Sequence, residues 1–238
     1  MNYRTAHIRH HLFVIFIGLS VSQAESEFTP NGVDMRGYIV NVGEQSPDFK
    51  LEFPDGSSTS LEKLMGNVVM LQFTASWCSV CRDEMPHIES DIWKPYQKSG
   101  LRLIGIDLDE PPETVVKFAQ EMKISYPLAV DSAAIVFHKF AEKNAGVTRN
   151  IILDPNGKII FLTRLFDPAE FREMISVIHK ELEKKNSQDI SSLEEEIKSL
   201  KTKDRAGVRS MTSKLYRSKL SLKKKIQTKN YLDRINRF

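Results

Sequence analysis

Cys78 and Cys81 are the only cysteines in the 238-residue chain, and they stand two residues apart in the stretch TASWCSVCRDEMP that runs from Thr74 to Pro86. A Cys-x-x-Cys pair of this spacing suits dithiol–disulfide exchange, provided one thiol ionises readily and the other can reach the mixed disulfide. The apolar run Val68 to Phe73 comes directly before it and reads as a buried strand. Such a strand delivers Cys78 to the start of a helix, where unpaired backbone N–H groups and the helix dipole favour a thiolate. Cys78 is then the attacking thiol. Cys81, one helical turn later on the same face, is the resolving thiol. Half of a zinc site would carry the same spacing, but a closed site needs two further ligands, and His87 and His138 do not supply a second pair by spacing. A purely structural disulfide would gain little, because so short a loop hardly constrains the unfolded chain.

The elements that must hold this pair follow from the pattern of apolar residues. Phe49 to Phe53 alternates as a strand, Pro54-Asp55-Gly56 makes its turn, and Leu61 to Met65 makes one helical turn. The strand Val68 to Thr74 leads into the helix that carries the cysteines, predicted from Cys78 to about Lys98 and ended by Gly100. Leu101 to Asp107 reads as a second buried strand. Pro111-Pro112 opens a helix to about Met122, Tyr126 to Val130 is a short strand, and Ala133 to Lys143 is predicted as another helix. Thr148 to Asp154 and Lys158 to Arg164 form a strand pair around Pro155-Asn156-Gly157, a strong hairpin signal. Pro168 to Lys184 closes the fold as a helix with Phe171, Ile175 and Ile178 on one stripe. Strands alternating with helices imply parallel βαβ units and an α/β fold around a central mixed sheet, with an N-terminal hairpin.

At the cysteines the chain resembles the thioredoxin superfamily, and within it the TlpA/ResA-type extracytoplasmic thiol-disulfide oxidoreductases, relatives of the AhpC/TSA and Redoxin proteins. The resemblance rests on Trp77 before the first cysteine, on Pro86 five residues after the second, and on Glu84 in a Cys-x-x-Glu-x-Pro pattern. It extends over about residues 42 to 183, through Gly43 to Phe49 as an opening segment and Asp55-Gly56 with Ser60-Leu61 as the following hairpin. The resemblance implies a thioredoxin-like fold, a kink at Pro86, tuning of the thiols by Glu84, and no organic cofactor. The segment from about Asp109 to Val130 resembles the insert of the TlpA/ResA and peroxiredoxin branches. Two positions depart from the family pattern. Gln72 stands six residues before Cys78, where thioredoxins carry a buried aspartate, and an amide cannot transfer that proton. Thr148 falls where the family has a cis-proline facing the cysteines, and a trans bond is the default at a non-proline residue.

Outside this region the chain changes character. Arg4, His7, Arg9, His10 and His11 precede the apolar run Leu12 to Leu19, and Ser22-Gln23-Ala24 offers small residues for cleavage. This is the layout of a secretory signal peptide over residues 1–24, with an uncleaved membrane anchor as the other reading. Export places the redox pair in a periplasmic or other extracytoplasmic space. A lead-in follows over residues 25–41, then the thioredoxin-like domain over 42–185. Residues 186–238 hold 14 Lys+Arg against 6 Asp+Glu, whereas residues 25–185 hold 18 against 25. The tail is thus a basic appendage on an acidic domain. Leu193, Ile197 and Leu200, then Val208, Met211 and Leu215, give it helical spacing with a break at Gly207. A solvated extension is the plain reading. Contact with an anionic membrane surface or an acidic partner is the functional one. Nucleic acid is excluded as a partner by export.

Other polar residues have plain readings too. Asp107, Asp109 and Glu110 cluster at a strand end but lack the spacing of a calcium loop, so a solvated loop capping the next helix is expected. His87 and His138 are expected as surface histidines on helices. No metal site is expected. The sequence therefore points to a thiol-disulfide oxidoreductase acting on the disulfides of exported proteins, most readily as a reductant. The resemblance adds cytochrome c maturation or disulfide repair as its setting and a membrane thiol-disulfide carrier as electron donor. A thiol peroxidase is one rival, because Arg149 is similar to the arginine with which peroxiredoxins polarise peroxide. Leu71 and Ala75, however, occupy the positions of that family's proline and threonine. A binding module acting through its basic tail is the other rival.

Overall fold

The computed structural model describes residues 36–200 and 210–218. The expected leader, residues 25–35 of the lead-in and the expected break at Gly207 lie outside the described residues.

A seven-stranded mixed sheet runs through the molecule in the order β2-β1-β5-β4-β3-β6-β7. Its strands are β1 (Lys50–Glu52), β2 (Ser58–Ser60), β3 (Val68–Thr74), β4 (Leu101–Leu108), β5 (Leu128–Asp131), β6 (Arg149–Leu153) and β7 (Ile159–Arg164). β3, β4 and β5 are parallel neighbours, while β6 and β7 add antiparallel on one side and β1 and β2 on the other. All seven residues of β3 are buried, as a central strand covered on both faces requires.

Successive residues of β3 point into two different cores. Val69, Leu71 and Phe73 join Phe49, Ile106, Phe137, Phe140 and Ile151 on one face. Val68 and Met70 join Met85, Ile88, Ile92, Phe118, Ile152, Ile175 and Ile178 on the other. The helices α2 (Ser79–His87), α4 (Pro112–Met122) and α5 (Pro168–Leu200) supply that second core. One helical turn, α1 (Leu61–Leu64), follows β2 with Ser60 as its cap.

The predicted helix from Cys78 to Lys98 exists as a path with three geometries. After α2 the chain makes a π turn over Ile88–Trp93, resumes as α3 (Lys94–Tyr96), and tightens to a 3-10 turn over Gln97–Ser99. Pro86 inside α2 has no N–H for the carbonyl one turn back, and such a break commonly widens into a π turn. Gly100, with φ +96°, ends the path in the left-handed conformation.

Two expected boundaries are corrected. Ala133 to Lys143 is not a helix: it holds two short 3-10 turns, Ser132–Ala134 and Phe137–Lys139. Here the Asp131 carboxylate takes the backbone N–H groups of Val136 and Phe137 at 2.8 Å each, and Asp109 takes that of Ala133 at 2.8 Å. Those side-chain acceptors compete with helical bonding, and Ala133 and Ala134 both have positive φ. Packing of Phe137 and Phe140 on Phe73, with ring centroids 5.3 and 5.8 Å away, holds the irregular path. The closing helix, expected to stop at Lys184, continues to Leu200. No Gly or Pro interrupts it, Lys185 pairs with Asp189 at 2.6 Å, and Leu193 is still buried. The division expected between residues 185 and 186 therefore falls inside α5. Residues 210–218 are helical.

Candidate active site

β3 ends at Thr74, and the loop Ala75-Ser76-Trp77 carries the chain to Cys78 at the N-cap of α2. The Cys78 sulfur accepts the backbone N–H of Cys81 at 3.2 Å, which is the contact expected of a thiolate stabilised at a helix start. Cys78 and Cys81 are joined as a disulfide. Cys78 is half-buried and Cys81 fully buried, so an incoming partner meets Cys78.

Thr148 sits across from the pair, its hydroxyl 3.2 Å from each sulfur. Every described peptide bond is trans, including the one before Thr148. Trp77 stands 66% exposed beside the sulfurs, the most exposed large apolar group of the thioredoxin-like region. With Val147, Leu108, Phe137 and His138 it lines a groove of about 420 Å³. His138, expected as a helical surface residue, is instead half-buried in a 3-10 turn and belongs to this groove. His87 is exposed on α2, near Asp91 and stacked on Phe166.

Glu84 is buried one turn beyond Cys81, on the face of α2 that meets the sheet. Asn150 Nδ2 donates to its Oε1 at 2.6 Å. Burial pushes the Glu84 carboxyl up to about 8, against the opposing pull of the Asn150 and Gln72 amides. Gln72 itself is buried and accepts the Tyr126 hydroxyl at 2.8 Å. Pro86 is exposed in α2.

The acidic group at the end of β4 matches the expected solvated helix-capping loop only at exposed Asp109: Pro111 stands at the N-cap of α4, and no side chain caps the helix. Asp107 is fully buried, and burial together with the neighbouring Glu110 pushes its carboxyl up to about 8. Glu110 reaches back to the loop before Cys78, accepting Ser76 N–H and Oγ–H at 2.5 Å each. From the other side Arg82 Nε donates to the Ser76 carbonyl at 2.7 Å. No His/Cys/Asp/Glu cluster among the described residues could hold a metal ion. Arg149 is buried with its guanidinium 4.4 Å from the centre of the Tyr38 ring, and it donates to the carbonyls of Arg36 and Gly146. That placement supports the sheet rather than a bound peroxide.

Asn150 and Tyr126 are parts of the site that sequence reasoning missed, and Glu110 is one that it read as a solvated loop residue instead of the Ser76 partner it is. Only their positions at strand ends or in an apolar strand could have marked them, since none belongs to a motif.

The profile of the AhpC/TSA family matches residues 42–162, half of the chain. The chain belongs to the AhpC/TSA family. Within that family it is similar to the thiol-disulfide oxidoreductase ResA of Halalkalibacterium halodurans, 30% identical over 122 residues that make up 51% of this chain and 68% of the relative. ResA of Geobacillus thermodenitrificans is 31% identical over 120 residues, 50% of this chain and 67% of the relative. Among solved structures, a candidate protein disulfide isomerase from Bacteroides thetaiotaomicron is 50% identical with a TM-score of 0.60, covering 61% of this chain and 92% of its own. A candidate thiol:disulfide interchange protein DsbE from Chlorobium tepidum is 26% identical with a TM-score of 0.54, covering 60% and 99%. This AhpC/TSA member is thus a ResA-type thiol-disulfide oxidoreductase on a thioredoxin-like fold, with proteins as its class of substrate.

Proposed function

We propose that this AhpC/TSA protein works as a reductant of disulfides in exported proteins, with Cys78 as attacking thiol, Cys81 as resolving thiol and Glu84 as their proton partner. The observation that carries the reading is the arrangement of accessible Cys78 over buried Cys81, with a buried carboxyl one turn below. In the reduced protein, Cys78 thiolate attacks a substrate disulfide, forming a mixed disulfide and releasing one substrate thiolate. Glu84 carboxylate then takes the Cys81 proton. Cys81 attacks Cys78, the protein disulfide forms, and the second substrate thiolate leaves. Two electrons pass to the substrate, and a carboxyl titrating near 8 is matched to a thiol, so proton transfer runs without a large driving-force penalty in either direction.

Trp77, Pro86 and Thr148 take supporting roles: Trp77 as a surface for the substrate chain, Pro86 in shaping α2, and Thr148 as a hydroxyl donor to sulfur. The charged, then apolar, then small-residue order of residues 1–24 supports export, and a membrane thiol-disulfide carrier then returns electrons to the pair. Cytochrome c maturation or disulfide repair is the setting. The basic extension serves as a contact for an anionic membrane surface or an acidic partner. Its charge lies past α5, since residues 201–238 hold 13 Lys+Arg against 2 Asp+Glu.

The test is the reduction potential of the Cys78/Cys81 pair in glutathione and dithiothreitol buffers, with Cys81→Ser as control. A value near or below the ~−270 mV of thioredoxin is expected, and one near the ~−120 mV of oxidant-type proteins would overturn the reductant reading.

A further inference from the structure

On the sheet face under α2, next to the buried Thr74–Asp107 pair, runs a second buried row with polar side chains. Gly105 of β4, Gln72 of β3, Asn150 of β6 and Thr163 of β7 are successive partners across four strands, and all are buried. Glu84 stands over this row. Asn150 Nδ2 donates to Glu84 Oε1 at 2.6 Å and to Thr163 Oγ1 at 2.9 Å, while Gln72 Oε1 accepts from Tyr126 at 2.8 Å. Gly105 makes room for this, since a Cβ there would lie 2.2 Å from Leu128 Cδ2 and 3.4 Å from the Tyr126 ring. Three buried atoms in the row and above it have no hydrogen-bond partner: Gln72 Nε2, Asn150 Oδ1 and Glu84 Oε2.

A carboxyl buried among apolar side chains stays a neutral acid, because its anion lacks donors. An amide changes that balance in both directions. Its N–H group stabilises the carboxylate, and half a turn about its last bond presents oxygen as acceptor for the acid. We propose that Asn150, with Gln72 beside it across the β3–β6 pair, is a positioning residue that keeps Glu84 convertible between acid and carboxylate during disulfide exchange. This rests on the proton-partner role given to Glu84 above.

The titratable groups that act on Glu84 from neighbouring elements are Tyr126 from the segment before β5 and Glu170 from α5. Glu170 opposes ionisation and is itself paired with Arg36 at 2.5 Å. The Asn150 amide, which donates to Glu84 Oε1, is therefore the main group that favours it, and the Gln72 amide adds a weaker pull without a hydrogen bond of its own. Removing the Asn150 donor must raise the Glu84 midpoint further.

The experiment is a carboxyl titration of the full-length oxidised protein by carbon-13 NMR, with Glu84→Gln to assign the signal. Asn150→Leu and Asn150→Ala both lose the donor, so the result does not hang on one variant folding. Either folded variant is expected to raise the Glu84 midpoint by at least one pH unit, a tenfold change in proton affinity, as befits a hydrogen bond to a charged group. The pH profile of mixed-disulfide resolution by Cys81 shifts with it. An unmoved midpoint in either folded variant, even with lowered thermal stability, would reduce Asn150 to a structural residue and overturn the proposal. A raised midpoint alongside a Glu84→Gln protein of unchanged exchange kinetics would uphold the amide–carboxyl coupling and overturn the proton-partner role instead.

Discussion

A single hydroxyl separates the two sulfurs from the rest of the sheet. Thr148 Oγ1 lies 3.2 Å from both, and when the disulfide opens it remains placed to donate to whichever sulfur carries charge. The helix start contributes the backbone N–H of Cys81 to Cys78, but nothing else among the described hydrogen bonds donates to either sulfur from a side chain. Thr148→Val keeps the volume and removes the donor. The Cys78 thiol of the reduced variant is expected to ionise less readily, with its alkylation by iodoacetamide at pH 7 slowed about fivefold, on the ~1 kcal/mol scale of one such bond. An unchanged alkylation rate would show that the hydroxyl does not act on the thiolate. The cysteine spacing and Glu84 were legible in the sequence because each belongs to a local pattern. Asn150 and Glu110 were not, because their partners lie 66 and 34 residues away in the chain.

At the scale of elements, α2 and its approach loop depend on parts distant in sequence. Glu110 and Arg82 hold the Ser76 backbone from two sides, so the loop that aims Trp77 and Cys78 is clamped to the start of α4's connection and to α2 itself. The segment after β5 depends in a similar way on one carboxylate. Asp131→Ala leaves the buried N–H groups of Val136 and Phe137 without acceptors, and each such loss costs about 1–3 kcal/mol. A drop of about 2–5 kcal/mol in chemical denaturation is expected, together with loosening of the Phe137 and His138 wall of the groove beside Trp77. A drop below 1 kcal/mol would mean that aromatic packing on Phe73 holds the segment alone. Apolar periodicity placed six of the seven strands to within two residues; β2, Ser58–Ser60, has no apolar residue and was not placed by it. It failed over residues 133–143, where helix-favouring alanines and lysines are overruled by Asp131, Asp109 and the phenylalanine contacts.

For the whole molecule, the buried carboxyls held above their ordinary range, Glu84, Asp107 and in the same sense Asp131, govern how stability follows pH. Glu84 and Asp107 both stand raised to about 8, from ordinary values of 4.5 and 3.8. Between those limits the native oxidised protein binds protons that the unfolded chain has lost, so stability falls as pH rises through the window. It is fully present below about 4 and gone above about 8, at a slope of up to about 1.4 kcal/mol per pH unit for each group. Glu44 and Asp55, whose carboxyls are held below their ordinary values by hydrogen bonds, act in the opposite sense and only at lower pH. Denaturation midpoints between pH 5 and 8 are expected to decline in the natural protein and to flatten in the Glu84→Gln, Asp107→Asn double variant. An equally steep decline in the double variant would place the titrating groups elsewhere. The continuity of α5 also sets where the molecule can be divided. A cut at 186 would fall inside this helix.

The sequence by itself determined the chemistry and the frame: a Cys-x-x-Cys pair at a helix start after a buried strand, a glutamate one turn on, and strands and helices alternating in thioredoxin-like order. These are local properties, carried by spacing and by apolar period within one element. Tertiary structure alone decided which buried carboxyls stay protonated, which hydroxyl faces the sulfurs, that His138 joins the groove beside Trp77, and that a row of amides crosses the sheet beneath Glu84. Those outcomes depend on burial and on partners brought together from distant strands. No spacing along the chain encodes them.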